Sequence, residues 1–114
     1  MFFLKFPNCL PINKLQRNFP NGVKTLDKIR RHYIFYGNVQ GVGFRYTAGC
    51  TARNYGISGW VKNLDDGSVE MEAEGRPIDI DYLISSLENL KWGSVERIVS
   101  RDIPIHGGYD FEIL

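Results

Sequence analysis

The sequence predicts an α+β fold: one mainly antiparallel sheet with two helices packed on one of its faces. Three observations predict it. Short segments rich in aromatic and β-branched residues are separated by two segments whose apolar residues recur at helical spacing. Read in order they give β-α-β-β-α-β and a short terminal strand. A single Asp-Gly turn joins two halves, each a strand, a helix and a strand.

Each element carries its own signal. Arg31–Tyr36 is aromatic and β-branched and reads as the first strand. The glycine-rich stretch Gly37–Gly43 follows as a loop. Phe44, Ala48, Ala52 and Tyr55 recur at helical spacing, so the first helix covers Phe44–Tyr55, and Gly56 stops it. Ile57–Asn63 reads as the second strand and Leu64–Gly67 as the hairpin turn. In Ser68–Glu74, Val69, Met71 and Ala73 alternate with Glu70, Glu72 and Glu74, which sends the first set inward and the second outward. Pro77 suits the first turn of a second helix, and Ile80, Leu83, Ile84, Leu87 and Leu90 supply its apolar stripe. Val95–Arg101 is a more weakly patterned fourth strand. Ile103–Gly108 is a loop, and Tyr109, Phe111 and Ile113 alternate in a short last strand. Two such halves pack most economically as a ferredoxin-like α/β sandwich with right-handed crossovers.

Composition bounds the function. Of 114 residues, 43% are hydrophobic and 13% aromatic, enough for one domain to bury a core without disulfides or metal. The net charge of +1 hides an asymmetry. Residues 1–30 hold six Lys/Arg and one acid, Asp27, whereas residues 31–114 hold eight bases and twelve acids. The body is therefore mildly acidic and offers no broad basic face to nucleic acid. An anion must be captured by a local site. Residues 1–30, broken by Pro7, Pro11, Pro20 and Asn21-Gly22, read as a loosely ordered basic extension, and residues 31–114 as the domain. The extension is acid-poor like a transit peptide, but it lacks Ser and its prolines break an amphipathic helix. The run Met1–Pro7 is too short to cross a membrane. Cys9 and Cys50 form neither a CxxC pair nor a zinc pattern. They read as reduced thiols, Cys50 as a small buried hydrophobe, which fits the cytoplasm.

The segment Gly37-Asn38-Val39-Gln40-Gly41-Val42-Gly43-Phe44-Arg45 lies between a strand and the start of a helix. Glycines let the backbone turn sharply and aim successive N–H groups into one concavity. The helix start adds free donors and a partial positive charge, a combination that binds phosphate. The candidate cradle is the main chain of Asn38, Val39, Gln40, Gly41, Val42 and Gly43, with Arg45 forking onto phosphate oxygens. Taken alone, the glycines also suit a turn that needs only flexibility. Arg45 weighs against that, because the dipole of the helix start repels a guanidinium that has no anion to meet. The spacing matches neither a Walker A loop nor a GxGxxG fingerprint. Asn63 closes the second strand, and by itself it is a common turn former. Beside a phosphate site its carboxamide, both donor and acceptor, can hold a water at a fixed angle.

Together these two segments resemble the two signatures of the acylphosphatase family. In the first, Gly37, Val39, Gln40, Gly41, Val42, Phe44 and Arg45 occupy the family's positions, with Phe35 where an aliphatic residue is usual. In the second, Gly59, Trp60, Val61, Lys62, Asn63, Gly67, Val69 and Gly75 match throughout. The resemblance covers about residues 31–114. It implies hydrolysis of acyl phosphates to carboxylate and inorganic phosphate, with Arg45 holding substrate, Asn63 orienting water and no metal or cofactor. It also implies a small-molecule partner, and a monomer is expected. The physical logic agrees, since phosphoryl transfer asks for positioning and charge stabilisation, and a carboxylate already leaves well. The competing function is a non-catalytic module that binds acyl or carbamoyl phosphate, as in the acylphosphatase-like domain of a hydrogenase maturation factor. A third reading, single-stranded RNA on sheet aromatics such as Tyr33, Tyr36 and Trp60, meets an acidic body and no RNP1 pattern. His32 and His106 read as structural or surface residues.

Overall fold

A computed structural model describes residues 27–114 of the chain; the extension expected over residues 1–30 lies, up to residue 26, outside them. Seven elements follow in order: β1 (Ile29–Asn38), α1 (Phe44–Asn54), β2 (Ser58–Asn63), β3 (Val69–Gly75), α2 (Pro77–Glu88), β4 (Ser94–Ile103) and β5 (Phe111–Ile113). The strands form one sheet in the order β4-β1-β3-β2-β5. All neighbours are antiparallel except β2 and β5. The two helices pack on each other, α1 over β2 and β5, α2 over β3 and β4. This is the expected α+β sandwich.

Tyr33, Phe35, Val61, Val69, Met71 and Ala73 face the helices and are buried with Phe44, Ala48, Ala52, Ile80, Leu83 and Leu87. The 2.0-residue period of the strands meets the 3.6-residue period of the helices along this one seam. Topology places the functional end. β1 and β2 both run antiparallel to β3, which lies between them. The C-terminal ends of β1 and β2 therefore share one end of the sheet. The loop entering α1 and the hairpin after β2 both leave from that end.

Four details differ from the sequence reading. β1 starts at Ile29, because Arg30 is drawn into the sheet opposite Glu74. β4 is longer than its pattern suggests and mostly exposed, since it is an edge strand paired only with β1. Tyr109 does not point inward; it is 97% exposed and lies ahead of β5. Cys50 carries no free thiol but is disulfide-bonded, and it is only half-buried. It lies two residues past Ala48 on α1, about 200° around the helix from the core stripe. The reading of a reducing compartment loses this support.

Candidate active site

β1 approaches the site through a bulge between Tyr36 and Gly37. A Cβ on Gly37 would lie 2.3 Å from the Ser94 carbonyl oxygen, so only glycine lets β4 come this close. Val39 then plugs the core and anchors the base of the loop. Asn38 Nδ2 donates to the Trp92 carbonyl at 3.3 Å. The loop ends at Gly43, whose φ of 81° makes it a left-handed cap with no side chain to satisfy the first turn of α1. No acidic residue stands in that turn. Among the described residues, none of the backbone N–H groups from Gln40 to Arg45 meets an acceptor. A run of free donors at a helix start is a concentration of positive potential.

Arg45 sits in this first turn, half-buried. Its Nη1 donates to the main-chain oxygen of Leu114 at 2.6 Å. Leu114 is itself clipped to β2, its N–H donating to Val61 O at 2.8 Å. Near the other end of α1, Arg53 Nη2 donates to Phe111 O at 3.0 Å. The helix thus grips β5 and the residue after it at two points about two turns apart, and the guanidinium of Arg45 is held near the end of β2.

Asn63 is the last residue of β2, paired with Val69 of β3. It lies two residues beyond the buried Val61, so its side chain shares the helix-facing side with α1. Its Oδ1 is buried, and among the described residues no donor reaches it. A buried acceptor without a partner is rare in folded proteins and points to a use.

The loop and the hairpin are in direct contact. Gln40 Nε2 donates to Leu64 O at 2.7 Å and to Ser68 O at 2.9 Å. Across the hairpin, Leu64 N donates to Ser68 O at 2.9 Å and Gly67 N to Leu64 O at 3.2 Å. Asp66 accepts from the hydroxyl and the N–H of Ser68, and these bonds hold its carboxyl below the usual range. Of the residues singled out in sequence, Asn38–Gly43, Arg45 and Asn63 all lie at this end of the sheet. The Leu114 main chain has no sequence signal, and the signature that includes Gln40 does not say which groups its side chain meets, since both are partnerships across long stretches of chain. His32 lies on the opposite sheet face against Glu70, with Nε2 2.7 Å from the carboxylate. Among the described residues, no three His, Cys, Asp or Glu side chains converge as a metal site.

The family model for acylphosphatase matches residues 31–113. The chain belongs to the acylphosphatase family. It is 42% identical over 78 residues to the acylphosphatase of Bifidobacterium longum, which covers 68% of this chain and 80% of that one. It is likewise 42% identical over 85 residues to the acylphosphatase of a Synechococcus strain, covering 74% and 73%. The crystal structure of acylphosphatase from Bacillus subtilis superposes with a TM-score of 0.70 at 34% identity, covering 75% of this chain and 98% of that one. Full-length HypF in its phosphate- and nucleotide-bound form also matches, with a TM-score of 0.68 at 26% identity. There the match covers 77% of this chain but 12% of HypF. Both acylphosphatase signatures of this chain fall inside the matched residues.

Proposed function

We propose that this chain hydrolyses acyl phosphates, with Arg45 and the loop amides holding the phosphate and Asn63 orienting the attacking water. The observation that carries this reading is the unpartnered Oδ1 of Asn63, at the same end of the sheet as the free N–H groups of Gln40–Arg45. An acceptor with no donor among the described residues can accept a hydrogen bond from water and so point the water's lone pair. The amides and the guanidinium receive the equatorial phosphoryl oxygens. They are fixed before substrate arrives, so little reorganisation is needed as charge builds up in the transition state. Attack on phosphorus expels a carboxylate, whose low basicity removes the need for a strong general acid. A substrate phosphate oxygen accepts the proton of the water.

The names of the relatives support an acylphosphatase activity. The likeness to HypF favours a second reading, in which the same loop binds a phosphate-bearing ligand without turnover. A hydrolysis assay on acetyl and benzoyl phosphate, with a phosphomonoester as control, separates them. Turnover of the anhydrides but not of the ester is expected. Binding of inorganic phosphate with no hydrolysis of either anhydride would establish the binding module instead.

A further inference from the structure

We infer that the side chain of Gln40 is a positioning residue, a clamp that sets the water-orienting Asn63 against the phosphate loop. The inference rests on the hydrolytic reading above. Nε2 of Gln40 has two protons, and both are used, one on Leu64 O and one on Ser68 O. Each of those carbonyls also accepts one hairpin N–H, from Gly67 and Leu64 respectively. The four bonds together use both donors of the carboxamide and two acceptor positions on each carbonyl. The orientation of the carboxamide follows without ambiguity, since its oxygen cannot face two carbonyls.

The clamp acts on the peptide that follows Asn63. Leu64 N–H, bonded to Ser68 O, fixes the plane of the Asn63–Leu64 peptide. Gln40 braces the acceptor of that bond and the carbonyl of Leu64 itself. Gln40 also belongs to the run of open amides, so one residue contributes its main chain to the loop and its side chain to the hairpin. The two halves of the site come from segments 24 and 28 residues apart, and Gln40 makes a direct polar contact between them. Without it, loop and hairpin keep their own internal bonds but lose their mutual registration. Misplacement of the reacting groups by about 1 Å is enough to cost a hundredfold in rate.

The test is a double-mutant cycle built from Q40M and N63A, with kcat on benzoyl phosphate, the inhibition constant of inorganic phosphate and Tm as readouts. Methionine keeps the length of the side chain and removes both donors. Q40M is expected to lower kcat about tenfold to a hundredfold while phosphate inhibition changes less than about threefold. In the N63A background the same substitution is expected to cost less than about threefold, because the group it positions is gone. Equal costs in both backgrounds would overturn the inference, as would a wild-type kcat in Q40M. A wild-type chain inactive on benzoyl phosphate would sink the hydrolytic reading instead. A measurement on the unaltered protein covers the case in which Q40M does not fold. The Gln40 carboxamide protons are expected to exchange with solvent well below the rate of a free glutamine side chain. Exchange at the free rate would overturn the clamp.

Discussion

Two regions of this molecule treat their polar groups in opposite ways. At the end of the sheet where β1 and β2 finish, groups meet no partner among the described residues: the buried Oδ1 of Asn63 and the N–H groups of Gln40–Arg45. On the face away from the helices, buried charges are fully engaged. Arg30 is 4% exposed and pairs with Glu72 at 2.8 Å and Glu74 at 3.0 Å. Glu74, 3% exposed, also accepts the N–H groups of His106 and Gly107. It thereby ties the connection between β4 and β5 down onto the sheet. Glu70 meets His32 at 2.7 Å on the same face. Satisfied burial stabilises a fold, and a buried acceptor without a partner costs free energy that a bound water or ligand returns. On the proposed function, the first region binds and the second holds.

The contrast breaks most visibly at Arg45. Arg45→Ala is expected to lower kcat/KM on benzoyl phosphate at least about a thousandfold, by analogy with other guanidinium groups that stabilise phosphoryl transfer. Its Tm should shift little, because the bond to Leu114 is exposed. Asn63→Ala is expected to lower kcat about a hundredfold or more, with phosphate inhibition retained. Its stability should stay within about 0.5 kcal/mol of the wild type, since the oxygen removed has no donor to lose. Near wild-type turnover of Asn63→Ala would remove the water-orienting role.

On the other face the expected effects reverse. Glu74→Ala should destabilise by about 3 kcal/mol in urea unfolding, because it strips a buried carboxylate from Arg30 and two N–H groups. The kcat of the folded fraction should not change. A kcat loss matching that of Asn63→Ala would mean that the two regions are coupled.

The smallest effect is the pH dependence of that same carboxylate. Burial pushes the Glu74 carboxyl up, but the His106 N–H, Arg30 and the Gly107 N–H outweigh it, and the group titrates below the usual range. Its folded value is depressed, so its contribution is complete above the unfolded value of about 4.3 and is lost as pH falls through the folded value. The Tm difference between wild type and Glu74→Gln should therefore be constant at neutral pH and shrink in acid. A difference that grew on acidification would reverse the sign assigned here.

Much of this was legible in the residues. The alternation of Val69, Met71 and Ala73 with three glutamates set one face of β3, and the structure buries the first three completely. The helical spacing of Ile80, Leu83 and Leu87 was equally plain. Where the pattern misled, a distant partner intervened. Glu74 alternates outward yet is buried, because Arg30 and the β4–β5 connection cover it. Tyr109 alternates inward yet is exposed, because β5 begins only at Phe111. Gln40 was marked for its main chain, whereas its side chain makes the polar link between the loop and the hairpin.

By itself, then, the sequence determined which segments are strands and helices, where the glycines must bend, and which two side chains carry the family signatures. These are properties of near neighbours in the chain: period, propensity and spacing act over a few residues. Tertiary structure alone decided that Arg45 is held by Leu114, that Gln40 joins loop to hairpin, and that Asn63 keeps an oxygen free. A hydrogen bond depends on distance and angle, and for residues tens of positions apart those exist only once the sheet has closed.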